Sequence, residues 1–314
     1  MKRLSLCILS LVFASTVLAG ADEGAAEQGD RDAVLLRTAE GGSANYQLRK
    51  PAEVKLPVES GGYFHPLTTP AGVVVTDVAP ADHPHHRGVF LAWVEMHGKK
   101  DADFWGWGEH APTKNRRIVN RGASDSQLRG NVAGFVVNNQ WMADDEAVVD
   151  ELMTAAVIPE PSANAYVLDL MYQVRPAADL TLSRWAFSGF CVRTRGDAKV
   201  VAYSPAGEVK LPNPSHVKPE SDWPDAAWYG YSMTLPDGKA AGVAVINHPD
   251  NPKTLWHNHR DIRMLNPCVV APAEIRLKAD QPLLLRYRVV VHDGPTPVEQ
   301  LNRLAEKWRG VTNR

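Results

Sequence analysis

The chain has 314 residues, 44% hydrophobic and 22% charged, with a formal net charge of -2. That composition supports a large apolar core and argues against disorder. The near-neutral balance supplies no field to gather phosphate backbones or anionic lipid, so no nucleic-acid partner is expected and a small or neutral molecule fits better.

The opening stretch MKRLSLCILSLVFASTVLAGADEG places Lys2 and Arg3 before an apolar run that ends in Ala19, Gly20 and Ala21, the layout of a secretory signal peptide. The expectation is an exported protein, periplasmic or extracellular after cleavage near Ala21. The run is too short for a membrane span, and Cys7 lies inside it, which argues against a lipid anchor. Residues 22–33 are small and charged and read as a flexible leader. Residues 34–314 then form one domain, because nothing marks an internal boundary.

Pro and Gly recur along that domain, and the runs between them are short and rich in Val, Leu, Tyr and Trp, which favours strands. The segments 71–80 and 241–249 read as deeply buried strands, each running into a histidine-bearing turn. In YVLDLMYQV, Tyr166, Leu168, Leu170, Tyr172 and Val174 share one face, with Asp169 and Gln173 opposite. LLLRYRVVV repeats the pattern, with Arg286 and Arg288 on the polar side, so both predict half-buried antiparallel sheet. Residues 204–223 hold four prolines and few regular signals, and read as a long loop, a lid or binding loop if ordered. The end of the chain signals a helix: Thr296 as N-cap, Pro297 at the first position, Glu299 closing a capping box and Gly310 past the end. Its stripe is Val298, Leu301, Leu304, Ala305 and Trp308. The predicted fold is all-β, a large antiparallel β-sandwich closed by a C-terminal helix. Cys191 and Cys268 either pair or stand as two buried thiols.

The eleven histidines are unevenly spread. His83, His85, His86, His97 and His110 fall in one segment, and His248, His257 and His259 in another. Three imidazoles in ADHPHHRG, beside Asp82 and Arg87, would repel one another if protonated and cost desolvation if buried idly. The H-x-H pairs His83/His85 and His257/His259 each suit two ligands to Fe, Zn or Cu, but Pro84 makes the first a turn, where the alternation fails. Histidine and carboxylate also suit acid–base work. Trp105 and Trp107, interleaved with glycines, Asp101, Asp103 and Glu109, suit a sugar, whose C–H faces stack on aromatic planes. WPDAAWYGY repeats that character. No phosphate-loop, dinucleotide or serine-hydrolase signature sits in its required context.

The motifs DHPHHRGVF, DFW, AVINHPDNP, WHNH, LNP and LLLRYRVVVHDG, in this order between Phe64 and Trp308, resemble the exported bacterial PmoA family, labelled methane oxygenase PmoA-like. More loosely they resemble the galactose mutarotase-type supersandwich proteins. The resemblance implies a β-supersandwich whose relatives accompany polysaccharide degradation, and points to Asp82, His83, His85, His86, Arg87, Asp103, Trp105, His248, Asn251, Trp256 and His257. After Trp256 the sequence departs from the pattern at RDIRML. Membrane-embedded oxygenase chemistry needs several apolar spans, and none follows the signal.

The expectation is therefore a carbohydrate-active protein, an enzyme acting on a sugar or glycoside by His/carboxylate chemistry. His85 and His86 are the acid/base candidates, with Asp82, Asp103 and His257 as further catalytic groups and Arg87 orienting a carboxylate or hydroxyl. His83, Trp105, His248, Asn251 and Trp256 would bind substrate, with His83, His85, His86, His248 and His257 gathered around one pocket. No cofactor is required; metal is an option. The partner is a small-molecule or polysaccharide-derived substrate. The alternatives are a non-catalytic carbohydrate-binding module, with the histidines as scaffold, and a metal-dependent hydrolase or oxygenase using the histidine cluster.

Overall fold

The computed structural model describes residues 26–27, 32–129, 132–279 and 281–310. The expected signal segment, 1–21, and most of the leader lie outside them. Ala26–Glu27, inside the leader, pairs with Leu35 and Leu36.

Among the described residues, two large antiparallel sheets face one another. The smaller runs, in spatial order, Ala26–Glu27, Ala33–Arg37, Ser43–Gln47, Tyr63–Thr68, Val89–Ala92, Gly189–Arg193 and Met264–Leu265. The larger has nine strands: Gly207–Glu208, Lys199–Ser204, Trp228–Thr234, Ala240–Asn247, Leu283–Asp293, Ala165–Pro176, Glu146–Glu160, Val132–Ala143 and Arg116–Arg129. Rings from both meet in the core: Phe190 stacks on Tyr287 with centroids 4.1 Å apart, and Tyr46 and Phe64 pack on Phe135. The alternation in the sequence does this. Tyr166, Leu168, Leu170 and Tyr172 sit across from Val291, Val289, Tyr287 and Leu285, so two period-two patterns turn their apolar sets to the same side.

The expected polar face of these strands is also covered. Val167, Trp228, Ala244, Ile246 and Val290 pack against the helix Val298–Arg309 through Leu301, Leu304, Ala305 and Trp308. Arg288 is consequently buried: it bonds both oxygens of Asp169 at 2.6 and 2.7 Å, and its guanidinium lies 4.4 Å over the Trp308 ring. The helix begins one residue later than its sequence signal, with Pro297 as N-cap and no side-chain cap bond. Burying a leucine contributes about 1.5–3 kcal/mol, whereas a cap contributes about 1 kcal/mol, so packing sets the helix position.

Residues 71–80 form no continuous strand. The segment changes partner every few residues, bridging Thr68 to Val74, Thr76 to Thr194 and Val78 to Arg87. Cys191 and Cys268 are buried free thiols. No described helix is long and apolar enough to cross a membrane.

Candidate functional site

The turn from Asp77 to Gly88 precedes a strand of the smaller sheet. Ala79 N–H donates to His86 O at 2.8 Å and Gly88 N–H to Asp77 O at 2.8 Å, which closes the turn at its base. Gly88 has φ +61°, and a Cβ there would collide with the Phe64 carbonyl, so only glycine fits. Within the turn His86 N–H bonds His83 O at 2.9 Å, stacking the two rings at 4.8 Å, while His85 meets His86 edge-on at 4.6 Å. The three imidazoles thus form one wall.

Arg193, from the adjacent strand Gly189–Arg193, holds that wall from behind. Its Nη2 donates to both Asp82 oxygens at 2.8 Å, and its Nη1 lies 3.4 Å from His86 Nδ1. Partial burial raises the Asp82 carboxyl, but the Arg193 bonds and charge, with His83, outweigh it and hold the group below its ordinary value. Arg87, expected to orient substrate, points into the protein instead. It is fully buried and donates to the carbonyls of Phe104 at 2.8 Å, His85 at 3.2 Å and Trp105 at 3.4 Å, tying the histidine turn to the tryptophan turn.

Asp103 is likewise occupied: Gly106 N–H and Gly108 N–H each donate to it at 2.7 Å. Gly106 has φ +121°, and its missing Cβ would lie 2.5 Å from that of His85. This tight turn sends Trp105 inward, fully buried against His86 and Phe187, and Trp107 outward, 41% exposed against His85 and Phe187.

The second wall comes from the long loop before Trp228–Thr234 and from the segment after Trp256. His216 stacks on His259 at 5.1 Å and contacts Trp107 and Phe187. His216 Nδ1 lies 3.0 Å from His257 Nε2, and His257 Nδ1 lies 2.6 Å from Asp222 Oδ1, a continuous hydrogen-bonded chain. The Asp222 and His257 side chains are wholly buried. Trp107 and Phe187 therefore form a floor between His83, His85 and His86 on one side and His216, His257 and His259 on the other.

Burial disfavours charge throughout. It pushes His85 and His257 down to about 3 and His216 and His259 to about 4, with neighbouring imidazoles adding to the shift at all but His257, and it pushes Asp222 up to about 8. His85, His216, His257 and His259 are thus neutral imidazoles at ordinary pH. The buried Nε2 of His85, Nδ1 of His259 and indole N–H of Trp105 and Trp185 have no protein partner. Buried polar groups are normally satisfied, so these atoms mark where a ligand or water belongs. Among the described residues no group of three or more His, Cys, Asp or Glu is arranged to hold a metal ion. A separate cleft of about 760 Å³ is lined by Asp77, Arg195, Asp197, Asp237 and Lys239 and by none of these imidazoles.

The chain matches, over residues 36–306, the profile described as "Family of unknown function (DUF6807)". It belongs to that family. No curated protein sequence matches this DUF6807 member. Similar solved structures include the GH36 α-galactosidase AgaB of Geobacillus stearothermophilus, at 8% identity and TM-score 0.47, covering 86% of this chain and 41% of that one. The α-galactosidase of Lactobacillus brevis gives 10% and 0.41, with 82% and 38% covered. YeaD, a putative mutarotase of Salmonella typhimurium, gives 8% and 0.38, with 89% and 97% covered. The chain thus spans about two fifths of the α-galactosidases it matches.

Of the residues singled out in the sequence of this DUF6807 member, His83, His85, His86, Trp105 and His257 meet around the floor, with the half-exposed Asp82 beside His83 and bonded to Arg193. Trp256 is fully buried against Tyr229. His248 packs edge-on to Trp308 under the helix, and Asn251 exchanges bonds with the Arg286 backbone, so neither joins the histidine walls. His216, Asp222, Phe187 and Arg193 were not anticipated. They lie 35 to 111 residues from the partners that reveal them.

Proposed function

We propose that this protein binds and processes a neutral, sugar-like molecule between the two histidine walls, and that it does so after export, as its N-terminal segment suggests. The reading rests on one observation: an exposed indole, Trp107, backed by Phe187, flanked by imidazoles whose buried ring nitrogens lack protein partners. A flat apolar platform edged by neutral donors and acceptors suits a pyranose, whose C–H face stacks while its hydroxyls bond at the rim. The motif resemblance to exported PmoA-family proteins agrees with this reading. His85 and His86 keep their acid–base assignment, while Arg87 and Asp103 become positioning residues because both terminal nitrogens of Arg87 and both oxygens of Asp103 are engaged by the backbone. That last point favours the second reading, a binding module without turnover.

Calorimetry and product analysis against a panel of mono- and oligosaccharides test both. Binding that drops roughly tenfold or more in Trp107→Ala, about 1.4 kcal/mol, supports the site. No binding across the panel overturns the carbohydrate reading, and binding without product selects the module.

A further inference from the structure

We infer that Asp222, His257 and His216 form a proton relay in which His216 Nε2 is the general base of the site, with His257 and Asp222 as positioning residues behind it. As an activity this rests on the proposed function; as a physical device it does not. Three observations carry it. The contacts run in series, 2.6 Å from Asp222 to His257 Nδ1 and 3.0 Å from His257 Nε2 to His216 Nδ1. The buried end is sealed, with Asp222 and His257 at 0% exposure, while His216 reaches the floor beside Trp107. His85 lies against the same Trp107 ring, at 5.6 Å, and its buried Nε2 has no protein partner.

The proton count balances without a buried imidazolium. With Asp222 ionised, His257 holds its proton on Nδ1 toward the carboxylate and accepts at Nε2 from His216 Nδ1–H, leaving a lone pair on His216 Nε2. That lone pair takes the proton of a substrate hydroxyl, and the electron pair of the broken O–H bond stays on the substrate oxygen. The His216 Nδ1 proton passes to His257 Nε2, and the His257 Nδ1 proton passes to Asp222. Both rings end neutral with exchanged tautomers, and the negative charge has moved from Asp222 to the substrate. Burial, with Glu220 nearby, pushes the Asp222 carboxyl up to about 8, which suits a base at mildly alkaline pH. The titratable and charged groups facing the relay are Glu220, Arg184 and Cys268 around Asp222, and His83 and His259 around the two imidazoles, with Asp261 beside His259.

The test needs no substrate. The full chain, labelled with 15N-histidine, is titrated from pH 6 to 10 by long-range proton–nitrogen correlation. His257 and His216 are expected to exchange tautomers together in one transition near pH 8, neither becoming imidazolium, and Asp222→Asn is expected to abolish it. Independent titration of the two rings, no transition, or the same transition in Asp222→Asn overturns the relay, and the wild-type result stands even if that variant does not fold. On any sugar the panel finds to be turned over, His216→Ala is expected to lower kcat roughly 100-fold or more with KM changed only a few-fold. A concerted switch without any sugar turned over sinks the sugar-processing reading alone. Sugar turnover without the switch sinks the relay alone.

Discussion

Asp103 shows how a residue marked for chemistry becomes architecture. Its two oxygens take backbone N–H bonds at 2.7 Å from Gly106 and Gly108, so they define the turn that aims Trp107. Bonds to a charged group contribute about 1.5–3 kcal/mol each, and Asp103→Ala is expected to cost roughly 3 kcal/mol by urea unfolding, with Asp103→Asn about half as costly. An unchanged midpoint in Asp103→Ala would show that the turn is held by something else. The histidines divide along similar lines. His83, His85 and His86 were legible as a site because crowding of imidazoles is visible in one dimension. His216 was not, since it stands among prolines and acquires its meaning only from His257, 41 residues on. His248 was joined to His257 by nearness in sequence, yet strand parity separates them: Ala244 and Ile246 face the helix, and His248 continues that side.

At the scale of elements, strands were readable where one pairing persists and one face is apolar, as in Ala165–Pro176. Residues 71–80 carry the same β-branched composition but exchange partners along their length, which no local pattern encodes. The arginines of Leu283–Asp293 read as solvent-facing because alternation gives the faces and not what lies over them; the helix covers Arg288, and Arg286 is buried beside Asp250. Trp308 is the centre of that cover, touching His248 and Arg288. Trp308→Ala is expected to destabilise the protein by about 3–5 kcal/mol, read from denaturant midpoints, while ligand affinity at the histidine walls stays within twofold. A comparable loss of affinity would mean that the covered sheet face transmits to the site.

For the whole molecule, the buried titratable groups set opposing pH dependences. His85, His257 and His292 are pushed by burial to about 3, 3 and 4. Their folded values lie below the unfolded value of about 6.5, so their contribution is intact above pH 6.5 and lost on acidification, by up to about 1.4 kcal/mol per pH unit each. Half-exposed His216 and His259 add less, because water screens them. Glu151 acts oppositely: buried beneath Asn139 and Trp141, its carboxyl is raised from 4.5 to about 7, so its contribution is full below 4.5 and lost as pH rises to 7. Asp222, raised from 3.8 to about 8, acts in the same sense as Glu151. Stability is therefore expected to climb from pH 5 to about 6.5 and decline from there to about pH 8, with Glu151→Gln altering the limb up to pH 7. Greatest stability at pH 5 would contradict this balance.

The histidine walls are drawn from turns of both layers, the first leading into Val89–Ala92 of the smaller sheet and the second, through His216, into Trp228–Thr234 of the larger. A molecule seated across them is mechanically a cross-brace, resisting the shear of one sheet over the other. Its footprint in amide exchange should therefore be delocalised, with Gly189–Arg193 and Trp228–Thr234 slowing in concert rather than the rim alone.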